Sequence, residues 1–294
     1  MKIFVTQGHE NGIGIEIFLK SYAVLSKTKK ERISYIGYRR SLLKTLTDCK
    51  IPDIVIKDLN IIEPDTFVFS ESLSALLMGM KLSTKDDILI TQPTTKDQLF
   101  FDNKHHLGHT EFFRYFYKNK NIPMSFIGLK SNTMLLTDHT ALKDVAHLSE
   151  NEIVEKVKAG LLGFFHLNPK LKDIYFSGIN PHAGEGGLLG SEDSVISNAI
   201  QQLKKELPDF HFHGPLSGDT LHLNRSENSL LVYAFHDQGL AYFKSQNGLL
   251  GINTTFGLPY LRLSVDHGTA FNLYGKNLAD FSSMMFLFDF VFKV

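Results

Sequence analysis

The sequence predicts an α/β protein with a substantial parallel sheet. Apolar runs of strand length alternate with helix-period segments from end to end, the pattern of strands joined by crossover helices. With 43% hydrophobic and 21% charged residues, the 294-residue chain can bury a sizeable core, as one large α/β domain or two small ones. No internal repeat, low-complexity tract or Pro/Ser linker interrupts it, so two domains would be interwoven rather than strung in series.

The elements follow in order. Residues 3–6 read as a first strand, Gly8, Gly12 and Gly14 as a turn, and 15–22 as a short helix. Further buried strands are expected at 33–37, 87–91, 134–137, 174–177 and 230–235. Ser149 and Glu152 form a capping box, after which Ile153, Val154, Val157, Leu161 and Leu162 mark one helix face. Glu192 and Asp193 favour a second helix start, with Val195, Ile196, Ala199, Ile200 and Leu203 as its buried stripe.

Composition excludes several functions. Equal numbers of Lys+Arg and Asp+Glu, 31 each, give no general attraction to nucleic acid or anionic lipid. Cys49 is the sole cysteine, so no intramolecular disulfide forms and a reducing, cytoplasmic setting is expected. The opening residues, polar from Thr6 onward, lead to the expectation of no signal peptide, and the run from Met284 to Leu287 is far short of the roughly 20 residues that span a bilayer.

The spacing Gly8-x-x-x-Gly12-x-Gly14 could cradle an anion on backbone N–H groups, or it could be a tight connection needing positive φ. It is neither a Rossmann fingerprint, since the third glycine is missing, nor a P-loop, since no Gly-Lys-Ser/Thr follows.

The C-terminal half is more informative. His139, His182 and His236 each stand just past an expected strand, where parallel sheets place ligands. Three imidazoles at one edge suit a divalent metal, with Asp219 and Asp237 near enough to orient a ring or complete the shell. Each histidine alone is equally explained as a loop side chain bonded to backbone. Lys244, Arg262, Asn253 and the pair His109-Thr110, which opens a helix at 111–117, together suit a phosphate; Lys244 and Arg262 taken singly read as surface cations.

These residues lie in strings that resemble the 4-hydroxythreonine-4-phosphate dehydrogenases of pyridoxal phosphate biosynthesis. The strings are Asn180-Pro181-His182-Ala183-Gly184-Glu185-Gly186-Gly187, His236-Asp237-Gln238-Gly239-Leu240, Gly257-Leu258-Pro259 and Val265-Asp266-His267-Gly268-Thr269-Ala270. The resemblance runs from about Leu89 to Ser283 and is weaker before it. The family's N-terminal signature survives here only in its glycines, Ile13 and Glu16. Its Gly-Pro string becomes Gln92-Pro93-Thr94-Thr95-Lys96, and its Arg-Thr-Ser becomes Arg262-Leu263-Ser264.

The resemblance implies an isocitrate/isopropylmalate dehydrogenase-like fold, not a Rossmann fold, with two interwoven α/β domains flanking a cleft. Residues 1–125 and 277–294 would form the first domain. Residues 126–276 would form the second, with the metal ligands and the dimer interface. The implied ligands of a dication such as Zn, Mg or Co are His139, His182 and His236, shared across a homodimer. His109, Thr110, Lys244, Asn253 and Arg262 would bind substrate, and His267, Gly268, Thr269, Asn272 and Gly275 would hold NAD, with NADP as the alternative. Asp219, Asp237 and Lys244 are left as catalytic candidates, the general base being open. The implied reaction is oxidation and decarboxylation of 4-phosphooxy-L-threonine to 3-amino-2-oxopropyl phosphate. The alternatives are phosphothreonate or phosphoerythronate as substrate, or a paralogue that binds a phosphorylated metabolite without turnover. No nucleic-acid or membrane partner is implied.

Overall fold

The computed structural model describes residues 1–65 and 69–294. The chain forms two compact units, residues 1–116 with 258–294, and residues 117–257.

In the first unit the strands lie in the order Leu261–Val265, Ile88–Thr91, Ile3–Thr6, Ile33–Ile36, Asn60–Ile62, all parallel. Ile3–Thr6 is central and buried throughout, which explains its unbroken apolar run. Helix Glu71–Leu82 lies so close to the sheet that a Cβ on Gly79 would come 2.6 Å from Thr6 Cγ2. The loops after Thr6, Thr91 and Val265 leave the same, carboxyl edge.

The second unit orders its strands His211–Leu216, Asp173–Ser177, Ser229–Tyr233, Asn132–Leu135, Met124–Gly128, Gly251–Thr255. The first four are parallel, and the last two join antiparallel. The four parallel strands end just before His139, His182, Asp219 and His236, so one sheet edge carries all four.

The capping box forms as expected: Ser149 and Glu152 bond reciprocally at the start of helix Glu150–Leu167. Ile153, Val154, Val157 and Leu161 are buried on that helix, but Leu162 points outward and is 73% exposed. The buried stripe turns through Gly160 and Phe164 instead. On helix Asp193–Glu206, Ile196, Ala199, Ile200 and Leu203 are buried, while Val195 is only half-buried.

The division by contacts falls at 116/117 and 257/258, earlier than the expected 125/126 and 276/277. The reason is pairing: Leu261–Leu263 is in register with Ile88–Ile90, which carries the strand and the loop after it into the first unit.

Candidate active site

At the sheet edge of the second unit, Thr137 follows its strand and donates through both N–H and hydroxyl to the carbonyl of Ala234. This joins the strand end leading to His139 with the one leading to His236. The two imidazole rings stand 5.7 Å apart, tilted by 37°. His236 is the first residue of helix His236–Asn247, not part of a tight loop. Gly239 lies inside that helix. A Cβ there would meet Leu135 Cδ2 at 2.7 Å, so glycine serves close packing of helix on sheet. His236 Nδ1 lies 2.7 Å from Asp237 Oδ1, which favours the proton on Nδ1 and leaves Nε2 as a lone-pair donor.

His182 lies in the turn Pro181–Gly187, where His182, Ala183, Gly184, Glu185 and Gly186 all have positive φ, from 44° to 77°. Left-handed backbone is unfavourable for the three non-glycine residues and persists only where surroundings dictate it. Asp193 supplies that constraint. Its buried carboxylate accepts from the N–H groups of Ile179 (2.6 Å) and Asn180 (3.3 Å) and from Asn180 Nδ2 (2.9 Å). Asp219, exposed, accepts from Ser217 Oγ at 2.6 Å. That hydrogen bond, and more weakly the nearby His182, hold its carboxyl below the usual range. Beside His182 opens a cavity of about 730 Å³ lined by Lys143, Asn180, Glu192, Asp219, Asp237 and Gln238, among others.

The donor set suits a borderline dication. Two imidazole rings 5.7 Å apart can share one ion at about 2.1 Å from each coordinating nitrogen. Among the described residues, however, no three His, Cys, Asp or Glu side chains of the chain gather closely enough to hold a metal. His139 and His236 are brought together, and His182 does not join them as a third ligand of such a group.

The expected phosphate residues fall in both units. Lys244 lies on the same helix as His236, about 12 Å further along its axis, and is exposed. Asn253, half-buried, sits on strand Gly251–Thr255. In the first unit His109 and Thr110 are the first two residues of helix His109–Phe116. Arg262 is no surface cation: it is 2% exposed, with Nε and Nη2 bonded to Thr91 Oγ1 at 3.1 and 2.6 Å and the Phe113 ring 5.6 Å away. Burial pushes its pKa down to about 9, still above neutrality, so the guanidinium remains charged. Burial and the neighbouring Arg262 together hold His109 well below its ordinary value, so its imidazole is neutral.

The expected cofactor loop lies beside the glycine turn within the first unit. Ile13 N–H donates to Thr269 O, His9 meets Phe271 edge-on at 4.8 Å, and His267 Nε2 lies 2.9 Å from Ser283 Oγ. Gly268 and Asn272 are exposed, while Gly275 turns the chain at φ +70°. None of Gly8, Gly12 or Gly14 has positive φ. What they provide is close approach: a Cβ on Gly8 would sit 2.2 Å from Pro93 O, and one on Gly12 3.2 Å from Thr269 Cβ.

Comparisons with known proteins bear on the family and the fold. Residues 66–288 match the family model described as Pyridoxal phosphate biosynthetic protein PdxA. The chain belongs to this family. A 4-hydroxythreonine-4-phosphate dehydrogenase of Aquifex aeolicus is 32% identical over 97% of the chain and 95% of its own length. A D-threonate 4-phosphate dehydrogenase of Cupriavidus necator is also 32% identical, over 96% and 94%. Among solved structures, the 4-hydroxythreonine-4-phosphate dehydrogenase of Klebsiella pneumoniae aligns with TM-score 0.79 at 23% identity, covering 99% of this chain and 98% of that one, and so shows the family's α/β fold. Among the described residues no helix is long and apolar enough to cross a membrane.

Sequence reasoning missed two residues of this edge. Asp193 read only as a favourable helix start, and Gln238 only as part of a motif string; the partners of both are remote in sequence or on backbone, where no spacing rule reaches.

Proposed function

We propose that the chain is an NAD-linked, dication-dependent oxidative decarboxylase of 4-phosphooxy-L-threonine, producing 3-amino-2-oxopropyl phosphate, carbon dioxide and NADH for pyridoxal 5′-phosphate synthesis in the cytoplasm. The observation that carries this reading is the pairing of His139 with His236 at one sheet edge, in a chain matched nearly end to end by dehydrogenases of phosphorylated hydroxy acids.

In that reaction the carbon bearing the β-hydroxyl gives a hydride to the nicotinamide, and the hydroxyl gives up its proton. The bond to the carboxylate carbon then breaks, carbon dioxide leaves, and the remaining electron pair takes up a proton to give the ketone. His139, His182 and His236, drawn from two copies of the chain, would hold the dication, which would supply Lewis acidity for the oxidation and the decarboxylation. Asp219, kept ionised, orients the His182 imidazole. The same lowered pKa makes it a poor proton acceptor at neutral pH and leaves Asp237 and Lys244 as candidates for proton transfer. Neutral His109 and charged Arg262, with Thr110, Lys244 and Asn253, bind the phosphate that does not react. The loop with His267, Gly268, Thr269, Asn272 and Gly275 holds the adenosine end of the cofactor; exposed Asn272 brings no negative charge against a 2′-phosphate.

A second reading, D-threonate 4-phosphate as substrate, is favoured by the Cupriavidus relative, which is as similar as the Aquifex one. Steady-state NADH production with both phosphorylated acids, with and without chelator, tests the two. Turnover of one acid, abolished by chelator and restored by a dication, is expected. No turnover of either in the presence of NAD and dications would refute the assignment.

A further inference from the structure

Gln238 stands in the first turn of helix His236–Asn247, two residues after His236. Its Oε1 accepts from Ser177 Oγ at 2.7 Å and from the Ala234 N–H at 3.1 Å, and its Nε2 donates to the Gly178 carbonyl at 3.0 Å. The Ala234 N–H also reaches Ser177 Oγ at 2.9 Å. Ser177 ends the strand that leads to His182, and Ala234 follows the strand that leads to His236. Through its carbonyl, Ala234 also holds Thr137, ahead of His139. One amide thus closes a hydrogen-bonded bracket across three strand ends, each followed by a histidine of the set.

The fourth strand end makes room for this bracket. A Cβ on Gly218, next to Asp219, would come 2.3 Å from Gln238 Nε2. The amide is not poised to be a ligand, because both acceptor positions of its oxygen are engaged by Ser177 and Ala234. Side-chain replacement also has predictable chemistry. A carboxylate here would still accept from Ser177 and Ala234 but would face the Gly178 carbonyl without a proton, and alanine would release all three bonds.

We propose that Gln238 is a positioning residue that sets the geometry of the histidine edge for a dication. This rests on the reading of His139, His182 and His236 as ligands. Outer groups that fix metal ligands typically change affinity by about 10- to 100-fold when removed, and Gln238 acts on the backbone that carries the ligands.

The test is titration of the purified, metal-free protein with Co²⁺, followed by the visible absorption of the bound ion, with thermal unfolding measured on the same metal-free samples. Wild type, Gln238→Ala, Gln238→Glu and Ser177→Ala are compared with Ile200→Val, a core change on helix Asp193–Glu206 far from the bracket in sequence. The expected result is a Kd raised about tenfold or more in Gln238→Ala, a smaller rise in Gln238→Glu and Ser177→Ala, and wild-type affinity in Ile200→Val. Ser177→Ala keeps the proposal testable should Gln238→Ala not fold. Wild-type Co²⁺ affinity in the folded Gln238 and Ser177 variants overturns it, as does an equal loss in Ile200→Val. A wild type that binds no Co²⁺ instead overturns the ligand reading beneath it.

Discussion

Thr137 gives both its N–H, at 3.1 Å, and its hydroxyl, at 2.8 Å, to the single carbonyl oxygen of Ala234. Both lone-pair positions of that oxygen are thereby used where two strands end, and the approach of His139 to His236 follows from it. Thr137→Val keeps the shape and the backbone bond but removes the hydroxyl. It should cost about 0.5–1.5 kcal/mol in urea unfolding, the net worth of one intramolecular hydrogen bond. The same variant should weaken dication binding, because it loosens the junction between two ligand-bearing strand ends. Unchanged stability and unchanged Co²⁺ affinity together would show that the backbone bond suffices.

The strands Ile3–Thr6, Ile33–Ile36, Ile88–Thr91, Asn132–Leu135, Asp173–Ser177 and Ser229–Tyr233 were legible because they rest on local signals, whereas Asn60–Ile62, Met124–Gly128, His211–Leu216, Gly251–Thr255 and Leu261–Val265 were not. Buried parallel strands read as unbroken apolar runs, and the 149–152 capping box is a four-residue pattern that formed as written. Leu162 was misplaced because helical period identifies a stripe but not its width; here the stripe shifts to Gly160 and Phe164. No helix was expected at His236, because a glycine in a first turn signals a turn in sequence, whereas at Gly239 it is packing against Leu135 and Tyr233 that demands glycine. Arg262 looked like a surface cation because its charge is visible in sequence, and its burial beside Thr91 and Phe113 is not.

Gly8 tests whether the N-terminal loop is held in shape by close approach rather than by backbone sign. Its φ is not positive, yet an added methyl would lie 2.2 Å from Pro93 O, a backbone atom that cannot swing aside. Gly8→Ala should destabilise the protein by about 1–3 kcal/mol, as overpacking does. The readout is the denaturant midpoint, and no shift there would show that the loop can move away from Pro93.

His109 should make the protein sensitive to acid. Its folded pKa lies well below 6.5, because burial and Arg262 oppose a second positive charge, while in the unfolded chain it titrates near 6.5. Between those values the unfolded state binds more protons. The contribution to stability is therefore complete above about pH 6.5 and is lost as pH falls toward the folded pKa. His109→Gln should flatten that part of the stability profile. A bound phosphate, by offsetting Arg262, should raise the His109 pKa in an NMR titration of the ring; a pKa near 6.5 in the free protein would contradict this account.

His236 carries the heaviest functional load in the proposal, and its surroundings separate function from folding. The side chain is only partly buried, and the Asp237 carboxylate beside it is almost fully exposed, so little stability depends on the ring. Gly239 and Leu240 anchor the helix start instead, through packing that a substitution at 236 leaves in place. His236→Ala should therefore keep a near-native Tm without metal. It should lose bound dication by elemental analysis and fall by about a hundredfold or more in turnover, as expected when a Lewis acid worth several kcal/mol is removed. Lys244→Ala, on the same helix but assigned to the phosphate, should keep its metal and raise KM for the phosphorylated acid. If His236→Ala retains both metal and turnover, the closeness of its ring to His139 is a packing contact and the dication lies elsewhere.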